Sequence, residues 1–198
     1  TQGVTQISRD VYSLHMTIFA WCVAIAIFVF GWMVLSLVKF RKSQGAVADT
    51  AMLHSTKAEI IWTIIPVVIL VVMAVPAART LIEIEDASKT QLSIKVTGYQ
   101  WKWQYDYLDK GVSFFSTLSH DSNVARQMHS GADPFKVENY LLNVDNPLVV
   151  PTGTKVRVLI TAQDVIHAWW VPAFAVKKDA IPGFVNEAWF QIDADKPG

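Results

Sequence analysis

Residues 17–38 read Thr-Ile-Phe-Ala-Trp-Cys-Val-Ala-Ile-Ala-Ile-Phe-Val-Phe-Gly-Trp-Met-Val-Leu-Ser-Leu-Val, 22 positions without a charge. As a helix at about 1.5 Å per residue the run is roughly 33 Å long, enough to cross a hydrocarbon core of roughly 30 Å. A second uncharged run, Ile60–Ala78, has 19 residues. Lipid offers no partners for backbone N–H and C=O groups, so both runs are predicted to be transmembrane helices, over about 14–40 and about 58–86, forming a hairpin. Pro66 removes one helical donor and is expected to kink the second helix, which membrane helices tolerate. The alternative is a pair of helices buried in a large soluble protein, but a chain of 198 residues, polar elsewhere, has little with which to bury them.

The loop between the runs carries Lys39, Arg41, Lys42 and Lys57 against Asp49 and Glu59, whereas the N-terminal tail sets only Arg9 against Asp10. Short positive loops stay on the cytoplasmic or matrix side, so both chain ends are expected on the opposite face. The start at Thr1-Gln2-Gly3, without Met, suggests a removed leader, and with it a bacterial plasma membrane and a periplasmic outer domain ahead of a mitochondrial inner membrane. The one cysteine, Cys22, lies inside the first run; it reads as a small packing residue and cannot form an internal disulfide. Residues 1–79 hold six Lys/Arg and three Asp/Glu, a net +3, and residues 80–198 hold eleven and fourteen, a net −3. A mildly acidic outer part disfavours nucleic acid and suits a basic protein partner.

Beyond Arg79 the apolar run gives out in Glu83, Glu85, Asp86 and Ser88, and residues 89–198 read as a second domain. Gln91–Thr97 alternates through Leu92, Ile94 and Val96; Trp101, Trp103, Tyr105 and Tyr107 share one face of a predicted strand; Lys155–Ile160 and Phe184–Ile192 complete the β-like stretches. Pro147, Pro151, Gly153 and Pro182-Gly183 punctuate them. No helical period of useful length follows residue 88, so an all-β sandwich or barrel is predicted. Asp109–Asn139 is polar and aperiodic and reads as a surface excursion between strands; its His120 and His129 have no third ligand nearby.

Several motifs resemble the subunit II family of haem–copper oxidases, in its cytochrome c oxidase branch. They are Glu59-Ile60-Ile61-Trp62-Thr63-Ile64-Ile65-Pro66, Val96–Tyr107 with its Trp101-Lys102-Trp103 centre, Glu138–Pro151, Asp164-Val165-Ile166-His167-Ala168-Trp169-Trp170-Val171-Pro172 and Asp179-Ala180-Ile181-Pro182-Gly183. They keep the family's order and spacing from the second helix onward. The resemblance implies a transmembrane hairpin followed by a cupredoxin-like Greek-key barrel. It also implies a role in a proton-pumping oxidase that reduces O2 to water. Electrons from cytochrome c, separate or fused, would arrive at a dinuclear copper centre and pass to haem in subunit I, an oxidoreductase chemistry whose oxygen site lies in that partner. Soft thiolate and imidazole donors suit copper. His167 matches the family's upstream copper ligand. The loop that carries the family's two Cys, second His and Met would stand after Lys196-Pro197-Gly198, so the barrel is incomplete over these 198 residues and the polypeptide is expected to continue.

By the same resemblance Trp101 would be the surface residue where electrons arrive and Trp103 its structural support. Without it, both are sheet aromatics, and His167 is a packed histidine. Glu59 would guard the mouth of a proton channel in subunit I, while also serving as a first-turn carboxylate on the helix dipole. Asp164 matches a carboxylate on the cytochrome c docking face, and Asp179 is expected to make a side-chain–backbone turn bond near the subunit I interface. Two rival functions remain at this stage: a copper-free quinol oxidase subunit II, favoured by the missing cysteines and opposed by His167 and Trp-Lys-Trp, and a non-catalytic membrane scaffold of an oxidase.

Overall fold

The computed structural model describes residues 3–47 and 54–196. Thr1, Gln2, Asp49, Pro197 and Gly198, on which the expectations about leader, loop charge and continuation partly rest, lie outside them. The chain divides into two compact units, residues 10–81 and residues 1–9 with 82–198.

The first unit is helical. Helix α1 spans Gln6–Lys39 and α2 spans Thr56–Glu85. Both are apolar around their whole circumference, with Phe28 and Trp32 about as exposed as Ile61 and Val71. An apolar helical stretch that no described residue covers is suited to lipid rather than water. α2 runs unbroken through Pro66 and a second proline, Pro76, each of which withholds one donor.

α1 starts eight residues ahead of the expected position because Thr5 and Ser8 cap it: Ser8 N donates to Thr5 Oγ1 at 3.1 Å and Thr5 N to Ser8 Oγ at 3.3 Å. The capped end, up to Arg9, belongs to the β unit and not to the helical one. Val4 N donates to Ala173 O at 2.9 Å, Thr5 Oγ1 to Phe174 O at 3.1 Å, and Arg9 pairs with Asp193. The last turn of α2 is fixed likewise: Trp189 Nε1 donates to Glu83 O at 3.1 Å and Lys155 Nζ to Asp86 O at 2.7 Å, so side chains from two strands satisfy carbonyls that a helix end leaves open.

The β unit contains β1 (Leu92–Tyr99), β2 (Lys102–Tyr107), β3 (Val112–Ser116), a one-turn helix α3 (His120–Ala125), β4 (Lys155–Ala162), β5 (His167–Val171), β6 (Val176–Ala180) and β7 (Asn186–Gln191). Five strands pair in the order β3-β2-β1-β4-β7, with β1 and β4 parallel and the other neighbours antiparallel; β5 and β6 make a separate antiparallel pair. The described strands thus form two sheets without a closed barrel. They share one core: Ile94, Val96, Val156, Val158, Ile160 and Phe190 are fully buried, and Trp169, Val176 and Ala180 reach it from the small sheet. Alternation along β4 puts Val156, Val158, Ile160 and Ala162 inside, with the half-buried Arg157, Leu159 and Thr161 between them.

Three expectations need correction. β3 and α3 fall within the segment read as a surface excursion; Phe114 of β3 packs on Tyr105 and Tyr107, with ring centroids 5.7 and 6.1 Å apart. Trp101 does not belong to a strand with Trp103, Tyr105 and Tyr107: β2 begins at Lys102, and Trp101 stands in the turn before it. Asp179 forms no side-chain turn bond among the described residues; its main-chain carbonyl accepts from Asn186 Nδ2 at 2.6 Å, and the turn is closed by Phe184 N on Ile181 O at 3.2 Å.

Candidate metal centre

The parallel pairing of β1 with β4 sets the site. Gly98 lies opposite Ala162 at the end of that ladder, and Gln163 N donates to Gly98 O at 3.0 Å, carrying the β4–β5 loop past the start of the β1–β2 turn. Asp164 sits in this loop and is engaged by three donors. Gln100 N reaches Oδ2 at 2.6 Å, Val165 N reaches Oδ1 at 2.7 Å, and His167 Nε2 lies 2.7 Å from Oδ1. These hydrogen bonds, His167's first, hold the Asp164 carboxyl down to about 2 against the opposing effect of desolvation. An ionised carboxylate only accepts, so Nε2 must donate, which leaves the lone pair of a neutral His167 on Nδ1.

The imidazole is boxed on its other sides. The ring of Trp103 meets it edge-on, centroids 5.7 Å apart at 63°. A Cβ added to Gly98 would stand 2.8 Å from His167 Cδ2, so only glycine allows this approach of ring to strand. The His167 side chain is 16% exposed. Trp101 is the opposite case, 81% exposed at the head of the turn. Next to it, Lys102 Nζ lies 4.0 Å from the Phe115 ring centroid and 5.6 Å from that of Tyr99.

The structure therefore brings together Trp103, Asp164 and His167, with Trp101 one residue from the Gln100 amide. Gly98 and Gln100 were not singled out from the sequence; a glycine inside the alternating strand Leu92–Tyr99 was the signal for the first, whereas a backbone donor leaves none. His120 opens α3 and His129 occupies a left-handed turn position, φ 65°. Among the described residues no group of three or more His, Cys, Asp or Glu side chains could hold a metal ion. His167, oriented through Nε2 by a carboxylate, fits one ligand position in the manner of metal-binding histidines. A single imidazole does not build a dinuclear cage, so the described residues do not by themselves fit the expected copper pair.

Glu59 belongs to the helical unit. It lies in the first turn of α2, its side chain 47% exposed, with His54 Nδ1 3.8 Å from Oε1, and it lines a shallow hollow with Thr56, Ile60, Thr63 and Ile64. Cys22 is a free cysteine on α1.

Residues 92–198 match the family described as cytochrome c oxidase subunit II, periplasmic domain, and residues 2–80 match the transmembrane domain of the same subunit. A probable cytochrome c oxidase subunit 2 of Rickettsia bellii is 38% identical over 187 residues, covering 94% of this chain and 65% of the relative. Cytochrome c oxidase subunit 2 of Chondrus crispus is 34% identical, covering 92% and 70%. The periplasmic domain of subunit II of cytochrome oxidase (CoxB) of Bradyrhizobium japonicum is 41% identical in sequence over 56% of this chain and 70% of that one, with a TM-score of 0.46. The chain spans 56–65% of the length of its four Rickettsia relatives. With its helical and its β parts each matched by the corresponding part of one subunit, the chain belongs to the cytochrome c oxidase subunit II family and is a membrane protein.

Proposed function

We propose that the chain is the electron-accepting subunit of a proton-pumping cytochrome c oxidase, taking electrons from cytochrome c for delivery to haem in subunit I, where O2 is reduced to water. The observation that carries this reading is the placement of an indole that is 81% exposed, Trp101, two residues ahead of Trp103, whose ring contacts His167. An exposed tryptophan on a braced turn offers a protein partner a large, rigid π surface. Trp103, two residues on in β2, is itself in edge-on ring contact with His167.

Each residue then has a role. Trp101 is where electrons arrive, and Trp103 has a supporting, mostly structural role. His167 offers Nδ1 as one ligand, with the remaining donors supplied by residues other than those described. Copper bound there would supply one-electron chemistry. Glu59 takes up protons at the helix mouth. The acidic balance of residues 80–198 suits a basic cytochrome, and the apolar circumference of α1 and α2 suits lipid and other oxidase subunits in a bacterial plasma membrane.

Metal analysis of the full-length protein together with its near-infrared absorbance tests the reading. About two coppers per chain with a near-infrared band is the expected result. Copper-free protein that still assembles into an active oxidase would replace this reading with a quinol-oxidising or purely architectural one.

A further inference from the structure

We propose that Asp164 is a positioning residue that clamps the backbone ahead of Trp101 to the imidazole of His167, rather than a free docking charge. The inference rests on the roles given above to Trp101 and His167 and names the group that keeps them in register.

Both carboxylate oxygens are already used within the chain. Oδ2 takes the Gln100 amide at 2.6 Å, and Oδ1 takes the Val165 amide and His167 Nε2, each at 2.7 Å. The side chain is 30% exposed, and three short bonds hold it facing inward. A carboxylate so engaged keeps its charge but cannot turn toward a partner without releasing an amide or the imidazole. The three groups it joins come from two different connections, the β1–β2 turn and the β4–β5 loop with the first residue of β5. Apart from the Gln163–Gly98 bond, this carboxylate is the main polar link between those connections among the described residues. Opposite it, the ring has no room to retreat, because Gly98 lies beneath and Trp103 beside it. Loosening Asp164 therefore frees both ends of the Trp101–His167 pair at once.

The test uses the full-length chain in its assembled oxidase, with D164N and D164E. Asn keeps the size but offers one acceptor oxygen for three donors; Glu keeps the charge but moves it by one methylene. In both variants the Gln100 amide should exchange with solvent at least about tenfold faster, while amides of the β1–β4 ladder keep their protection. Turnover at saturating cytochrome c should fall roughly tenfold or more in both, with KM moved less than about threefold, as expected when reacting groups are misplaced rather than when binding is weakened. Three results would overturn the clamp: unchanged Gln100 exchange in D164N; a D164E enzyme like wild type beside a D164N enzyme altered only in KM and its salt dependence; or loss of ladder protection along with the turn, which marks a general structural role. If Trp101→Phe leaves turnover normal, the proposed electron route is what fails, and Gln100 exchange decides the clamp alone.

Discussion

Gly98 and His167 are in contact that leaves no room for a methyl group: a Cβ on Gly98 would stand 2.8 Å from His167 Cδ2 and 3.1 Å from Trp103 Cζ3. Gly98 has no positive φ to explain the choice of glycine; the close approach of the imidazole explains it. Gly98→Ala must therefore push the imidazole or the indole outward. Overpacking of this kind costs about 1–3 kcal/mol. A thermal melt of the full-length protein in detergent should show the midpoint lowered by several degrees. A melt superimposable on wild type would show that the site is looser than this contact implies.

The two kinds of sequence periodicity were not equally informative. The uncharged runs announced α1 and α2 because lipid demands continuous apolarity, and alternation announced β1 and β4 because each buries every second residue. β5 and β6 stayed hidden: five residues allow only two or three inward positions, and Val176-Lys177-Lys178-Asp179-Ala180 places its charges on an exposed strand whose ends alone are buried. β3 was masked by the polar sequence around it. The early start of α1 at Gln6 depends on residues 173, 174 and 193, far along the chain, and no local pattern could reveal it. At the site, the motif around His167 pointed to the residue, but its partner did not follow from spacing. The hydrogen bonds of Asp164 were not legible, because its three donors, one of them 64 residues away, come together only once β1 and β4 run parallel.

Trp101 gives the sharpest functional prediction. Its indole is exposed, so replacing it should leave the fold and the residues around His167 undisturbed. Trp101→Phe retains an aromatic ring but loses area and the indole N–H. Electron uptake from cytochrome c should drop by about tenfold or more, the scale of an interface hot spot, with copper content unchanged. Stopped-flow reduction by cytochrome c alongside metal analysis measures both. Normal uptake would remove Trp101 from the route.

Glu59 allows two roles to be separated. As a first-turn carboxylate it is worth about 0.3–1 kcal/mol through the helix dipole, and Glu59→Gln should lower stability by no more than that. As a proton acceptor at the mouth of α2, with His54 Nδ1 3.8 Å away, it should matter far more to rate than to stability. The variant is expected to slow the proton-coupled reduction of the oxygen site several-fold, followed by flash-initiated or stopped-flow spectroscopy of the assembled enzyme. An unchanged rate with a slightly lower melting point would leave only the dipole role.

Asp193 carries a prediction about pH. Arg9 binds it through two guanidinium nitrogens, and this hydrogen-bonded pair, helped by the nearby charge of Lys196, lowers its pKa below the ordinary 3.8 against some desolvation. Because the folded value lies below the unfolded one, the pair's contribution is complete above about pH 4. It fades as the pH falls through 3.8 towards the folded value, where the proton displaces Arg9. The bond ties the first turn of α1 to the residues after β7, so its loss should also loosen the backbone contact of Asp193 N with Val4 O, 2.9 Å long. Asp193→Asn should therefore be less stable than wild type at pH 7, and the gap should close on acidification from about pH 4 downward. Melting curves of both proteins from pH 7 to pH 3 measure the gap directly, and a difference that stays constant over the whole range would show that Arg9 does not hold this carboxylate in its charged form.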